Sequence, residues 1–112
     1  MATPAIDPAV FAELQAAAGA DFVRELVDTF LEEAPPMLAE LRATLAAART
    51  EPFRRAAHSL KSNASTFGAA TLAARARDLE LQGLDAATPA ALDALAQAYD
   101  EAAAELKALR NE

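Results

Sequence analysis

The sequence predicts an all-α protein: an antiparallel four-helix bundle with a short additional N-terminal helix. Three observations carry that expectation. Apolar residues make up 54% of the chain, with alanine and leucine prominent among them, and such segments favour helix. Apolar positions recur in steps of three and four, the period of a half-buried helix, and no stretch alternates apolar and polar as a strand would. Two pairs, Asp7-Pro8 and Thr88-Pro89, have the form of an N-cap followed by proline at the first helical position.

Asp7-Pro8 opens a short helix through Val10, Phe11 and Leu14, which Gly19 closes. Asp21 is placed to cap the next. Its apolar stripe runs Val23, Leu26, Phe30, Ala34, Met37, Leu41, Leu45, Ala48 and keeps its phase across Pro35-Pro36. Two helices with a loop between them would normally lose that phase. The segment therefore reads as one long helix kinked near the prolines, which remove backbone donors and crowd the preceding turn. Two helices meeting at Pro35 is the alternative. Thr50-Glu51-Pro52 starts the helix that carries His58, and Gly68 interrupts or ends it. A fourth helix follows through Leu72, Ala76 and Leu79 and closes near Gly83. After Thr88-Pro89, the last helix places Leu92, Leu95, Tyr99, Ala102, Leu106 and Leu109 on one face. There is no internal repeat and no low-complexity linker, and 112 residues suit one domain, 1–112, with one core.

Composition excludes several functions. With no cysteine there is no disulfide framework, thiol chemistry or cysteine-based metal site, and a single histidine argues against an imidazole-based metal centre. A formal net charge of −7 argues against nucleic acid as the main partner. No leader-like segment opens the chain, and no apolar stretch is long enough to span a bilayer. A cytoplasmic protein with no membrane association is expected, and a monomer.

That one histidine, His58, lies in the run Ala57-His58-Ser59-Leu60-Lys61-Ser62-Asn63-Ala64-Ser65-Thr66-Phe67-Gly68. At about 100° per residue, Phe53, Ala56, Ala57, Leu60, Ala64 and Phe67 share one side of the helix, and His58, Lys61, Ser62 and Ser65 the other. The ring is thus expected in solvent on a rigid element. From Pro52 to Arg77 there is no Asp or Glu, while Arg54, Arg55, Lys61, Arg75 and Arg77 fall in that window. An acidic chain is expected to surround its histidine with positive charge, which suits a group that gains a phosphoryl dianion. It would also keep the ring in its free nucleophilic form. Lys61 can aim its ammonium at phosphoryl oxygens on His58. Ser62 and Ser65 are small enough for a partner to approach closely. No carboxylate nearby in sequence offers a metal ligand, so any Mg²⁺ would come from the partner. The residues alone also admit an idle surface histidine and a chance cluster of charge.

The pattern His58, Lys61, Ser62, Gly68 on an all-helical chain resembles the histidine-containing phosphotransfer (HPt) domains of two-component phosphorelays. That family carries a histidine, a lysine three residues on, a small residue, usually glycine, at the fourth, and a glycine at the tenth. The segment from Asp7 to Leu14, the Phe22-to-Leu45 stretch with Glu32-Glu33-Ala34-Pro35, and the Leu79-Glu80 pair resemble its flanking pattern. Ser62 departs from the usual glycine. The resemblance implies a phosphocarrier, not an enzyme with ATP or another cofactor. It implies that the histidine Nε2 accepts a phosphoryl group from a receiver-domain aspartyl phosphate, or from a sensor histidine kinase, and passes it to another response-regulator receiver. No glycine-rich phosphate loop contradicts this. Partner contacts are expected at Arg54, Arg55, Ser62, Ser65 and Gly68.

Two other readings compete with this one. A helical adaptor could dock receiver or kinase domains without carrying phosphate. A hydrolase or transferase could be built on His58 with Ser62 or Ser65, although no third orienting group or oxyanion hole is visible.

Overall fold

A computed structural model describes residues 4–111, so the expected unit 1–112 extends past the described residues at both ends. Among them the chain forms α1 (Pro8–Ala18), α2 (Ala20–Ala46), α3 (Thr50–Thr66), α4 (Ala70–Gln82), a single 3-10 turn (Gly83–Ala86) and α5 (Pro89–Arg110), with no strand. The caps explain the starts. Asp7 accepts from the Ala9 N–H at 2.9 Å, and the Thr88 hydroxyl accepts from the Ala91 N–H at 3.0 Å.

α2 packs on α3 and α5, and α4 packs on the same two helices, so the four form a closed ring with short connections. Side-chain pairs fix the directions: His58 of α3 meets Glu80 of α4, and Arg42 near the end of α2 meets Asp93 near the start of α5. Neighbours therefore run antiparallel, as the short loops require. Alanines at 34, 57, 64 and 76 are fully buried, which lets the helices approach closely. Phe30 of α2 joins the layers, its ring centroid 5.3 Å from that of Phe67 and 5.8 Å from that of Tyr99.

α2 is one continuous helix carrying Pro35 and Pro36, so the two-helix alternative does not hold. Pro35 cannot donate to the Leu31 carbonyl. The Tyr99 hydroxyl of α5 points at that same carbonyl from 3.5 Å and supplies a donor from outside the helix.

Two local expectations are corrected. Gly19, not Asp21, occupies the N-cap of α2; Asp21 sits inside the first turn and pairs with Arg24 at 3.3 Å. Ala48 lies beyond the end of α2 with φ +56 and is exposed. The buried stripe instead includes Val27 and Thr44, and the Thr44 hydroxyl is satisfied by donating to the Glu40 carbonyl at 2.7 Å.

α1 is held over one end of the bundle. The Glu105 carboxylate of α5 accepts from the Ala5 and Ile6 N–H groups at 2.6 and 3.1 Å, and the Asp7 N–H donates to the Gly68 carbonyl at 2.9 Å.

Candidate functional site

The helical period of α3 buries Phe53, Ala56, Ala57, Leu60 and Ala64 and leaves the His58 side chain 57% exposed. Its ring is not free on both sides. Nδ1 lies 2.6 Å from one carboxylate oxygen of Glu80, and the Lys61 ammonium donates to the other at 2.8 Å. A carboxylate can only accept, so Nδ1 carries the proton. In the neutral ring this leaves Nε2 with its lone pair, on the edge turned away from Glu80. The Glu80 side chain is about four-fifths covered. The hydrogen bond from Lys61 holds its carboxyl below the usual 4.5; loss of solvent opposes this, and His58 adds to the lowering.

The sequence alone does not assign Glu80 to the site. It lies just outside the acid-free window, and it corrects one expectation. The group bonded to the ring is anionic, so the histidine does not sit in a purely cationic field. A carboxylate stands beside it, brought by the α3–α4 hairpin. A signal for this existed. His58 and Glu80 are equally far in sequence from Ala69 in the turn, so an antiparallel pair of helices must bring them level.

The other expected residues separate into groups. Arg54 faces α4, where its Nε donates to the Glu80 backbone carbonyl at 3.2 Å. Arg55 faces the opposite flank and lines an open cleft with Pro36, Met37 and Glu40 of α2. Ser62 and Ser65 are exposed beside His58, and among the described residues neither bonds to the ring. Gly68, expected to meet a partner, is buried. It adopts φ +76, and an added Cβ would lie 2.8 Å from the Val10 Cβ of α1. It offers no surface; its work is to turn the chain and seat α1. Among the described residues no three His, Asp or Glu side chains converge as a metal site, and no helix is long and apolar enough to cross a membrane.

Residues 25–110 match the Hpt domain family. The chain belongs to that family. The Hpt fold also matches a solved structure, that of histidine-containing phosphotransfer protein B (HptB) from Pseudomonas aeruginosa PAO1. The two are 29% identical, with a TM-score of 0.88 over 98% of this chain and 97% of that one. No curated protein matches the sequence. The Hpt match spans all four bundle helices, α2 lacking only its first turn, and contains both partners of the His58–Glu80 contact.

Proposed function

We propose that this Hpt protein is a phosphocarrier in a phosphorelay and that Nε2 of His58 is the atom that carries the phosphoryl group. The observation behind this reading is the exposed ring whose Nδ1 is held by Glu80. The Nε2 lone pair attacks the phosphorus of an aspartyl phosphate on a receiver domain. As the N–P bond forms, the bond from phosphorus to the aspartyl oxygen breaks, and that oxygen leaves with the electron pair as a carboxylate. The ring keeps its Nδ1 proton and becomes cationic, and the Glu80 carboxylate opposes that charge. The reverse sequence delivers the group to a second response regulator.

Lys61, one turn from His58, is the cation that steadies the phosphoryl oxygens, and it moves its ammonium from Glu80 toward them as they arrive. Arg55, Ser62 and Ser65 form the docking face. The partner receiver brings the Mg²⁺, and a sensor histidine kinase stands upstream. The protein has no kinase activity of its own.

The test is transfer from a panel of phosphorylated receiver domains, read by intact mass. Wild type should gain one acid-labile, base-stable phosphoryl group, and His58→Gln should gain none while keeping its helical circular dichroism. Binding of a receiver without transfer would favour the docking adaptor instead.

A further inference from the structure

Glu80 stands close to the end of α4, which stops at Gln82 before Gly83 turns the chain at φ +69. The last turn of a helix is its weakest, because its carbonyls lack donors from further along. A carboxylate there would swing unless its backbone were tied down. Arg54 supplies the tie through its Nε bond to the Glu80 carbonyl. Glu51, one turn earlier on α3, braces the guanidinium from 3.8 Å. Arg54, His58 and Lys61 occupy positions i, i+4 and i+7, a single stripe of α3. All three touch Glu80, one at its backbone and two at its carboxylate.

We propose that Arg54 is a positioning residue, not a docking residue: it anchors the end of α4 so that Glu80 holds Nδ1–H of His58 and keeps Nε2 as the nucleophile. This rests on the reading of His58 as phosphoryl carrier, but its first readout does not. A misplaced carboxylate lets the neutral ring exchange to the other tautomer, with the proton on Nε2 and no lone pair where the phosphorus arrives. Small displacements of such a group carry large rate effects.

The glutamine Nε2 stands where the arginine Nε stands along the side chain, so Arg54→Gln keeps a donor and removes the charge. Arg54→Ala removes both. The experiment records ¹⁵N spectra of the His58 ring at alkaline pH in wild type, Arg54→Ala, Arg54→Gln, Glu80→Ala and the Arg54→Ala/Glu80→Ala double variant. Each is checked first by its amide spectrum for an intact fold. Wild type and Arg54→Gln should show the Nδ1–H tautomer. Arg54→Ala should move toward the Nε2–H form, in the direction of Glu80→Ala, and the double variant should go no further than Glu80→Ala. Phosphorylation by phosphoramidate, a donor too small to need docking, should slow about three- to tenfold in Arg54→Ala. An unchanged ring tautomer in Arg54→Ala, with only a higher receiver concentration needed for half-maximal transfer, would overturn the proposal and return Arg54 to the docking face. So would loss of the tautomer in Arg54→Gln. If wild type accepts no phosphoryl group from any donor, the carrier reading fails, and the spectra still report what Arg54 does.

Discussion

Nδ1 of His58 lies 2.6 Å from a carboxylate oxygen of Glu80, a residue on the neighbouring helix. That contact divides the imidazole into a held edge and a reactive edge. It also sets where Lys61 rests before a phosphoryl group arrives, since the second oxygen of the same carboxylate holds its ammonium.

Lys61→Ala should slow phosphoryl acceptance by about tenfold, the loss of one partly exposed electrostatic donor. Single-turnover transfer from a phosphorylated receiver measures it. The His58 ring should keep its bond to Glu80, because Lys61 holds the other oxygen of that carboxylate. A rate equal to wild type would remove Lys61 from the chemistry.

Stability should depend on Glu80 with a definite sign. The folded protein holds this carboxyl below 4.5, chiefly through Lys61. The unfolded chain therefore takes up that proton at a higher pH than the folded one. The resulting stability is present above the unfolded value and is lost as pH falls through the lower folded value. Glu80→Gln should be less stable than wild type near neutral pH, and the gap should close in acid. Urea unfolding midpoints across that range report it. A gap that stays constant or widens in acid would contradict the assignment.

Gly68→Ala should destabilise the protein by about 1–3 kcal/mol. The added Cβ meets Val10 at 2.8 Å and the Asp7 carbonyl at 3.2 Å, in a backbone conformation with φ +76. Gly83→Ala shares the positive φ but has open space around it, so it should be milder. Parallel denaturant titrations give the comparison. Equal effects would mean that α1 is not seated on Gly68.

Tyr99→Phe keeps the ring against Phe30 and removes the donor at the Leu31 carbonyl. About 1 kcal/mol of stability should be lost, visible as a lowered thermal midpoint. An unchanged midpoint would mean that water serves that carbonyl equally well.

Much of this architecture is written in local pattern. The stripe of α2 holds its phase across Pro35-Pro36, and the helix is continuous there. Asp7 and Thr88 cap as their proline neighbours suggest. The period of α3 separates the buried Phe53 and Leu60 from the exposed His58. Glu80 is less legible because its contact with His58 depends on the register of two helices, which the turn at Gly68 and Ala69 sets. Gly68 shows a related limit. Its spacing from His58 marks it as special, but spacing alone does not distinguish a partner's approach from that of α1. The two arginines show the limit of a helical wheel. Adjacent in sequence, Arg54 and Arg55 both flank His58, yet one is bonded to α4 and the other lines the cleft beside α2.

The role of Nε2 as the carrier atom is decided by the position of the phosphoryl group on the ring. Protein with ¹⁵N-labelled histidine would be phosphorylated by a receiver domain, and phosphorus–nitrogen couplings would identify the modified atom. Phosphorus is expected on Nε2 of His58, with the Nδ1 proton still directed at Glu80. Phosphorus on Nδ1, or on no atom of His58, would contradict it.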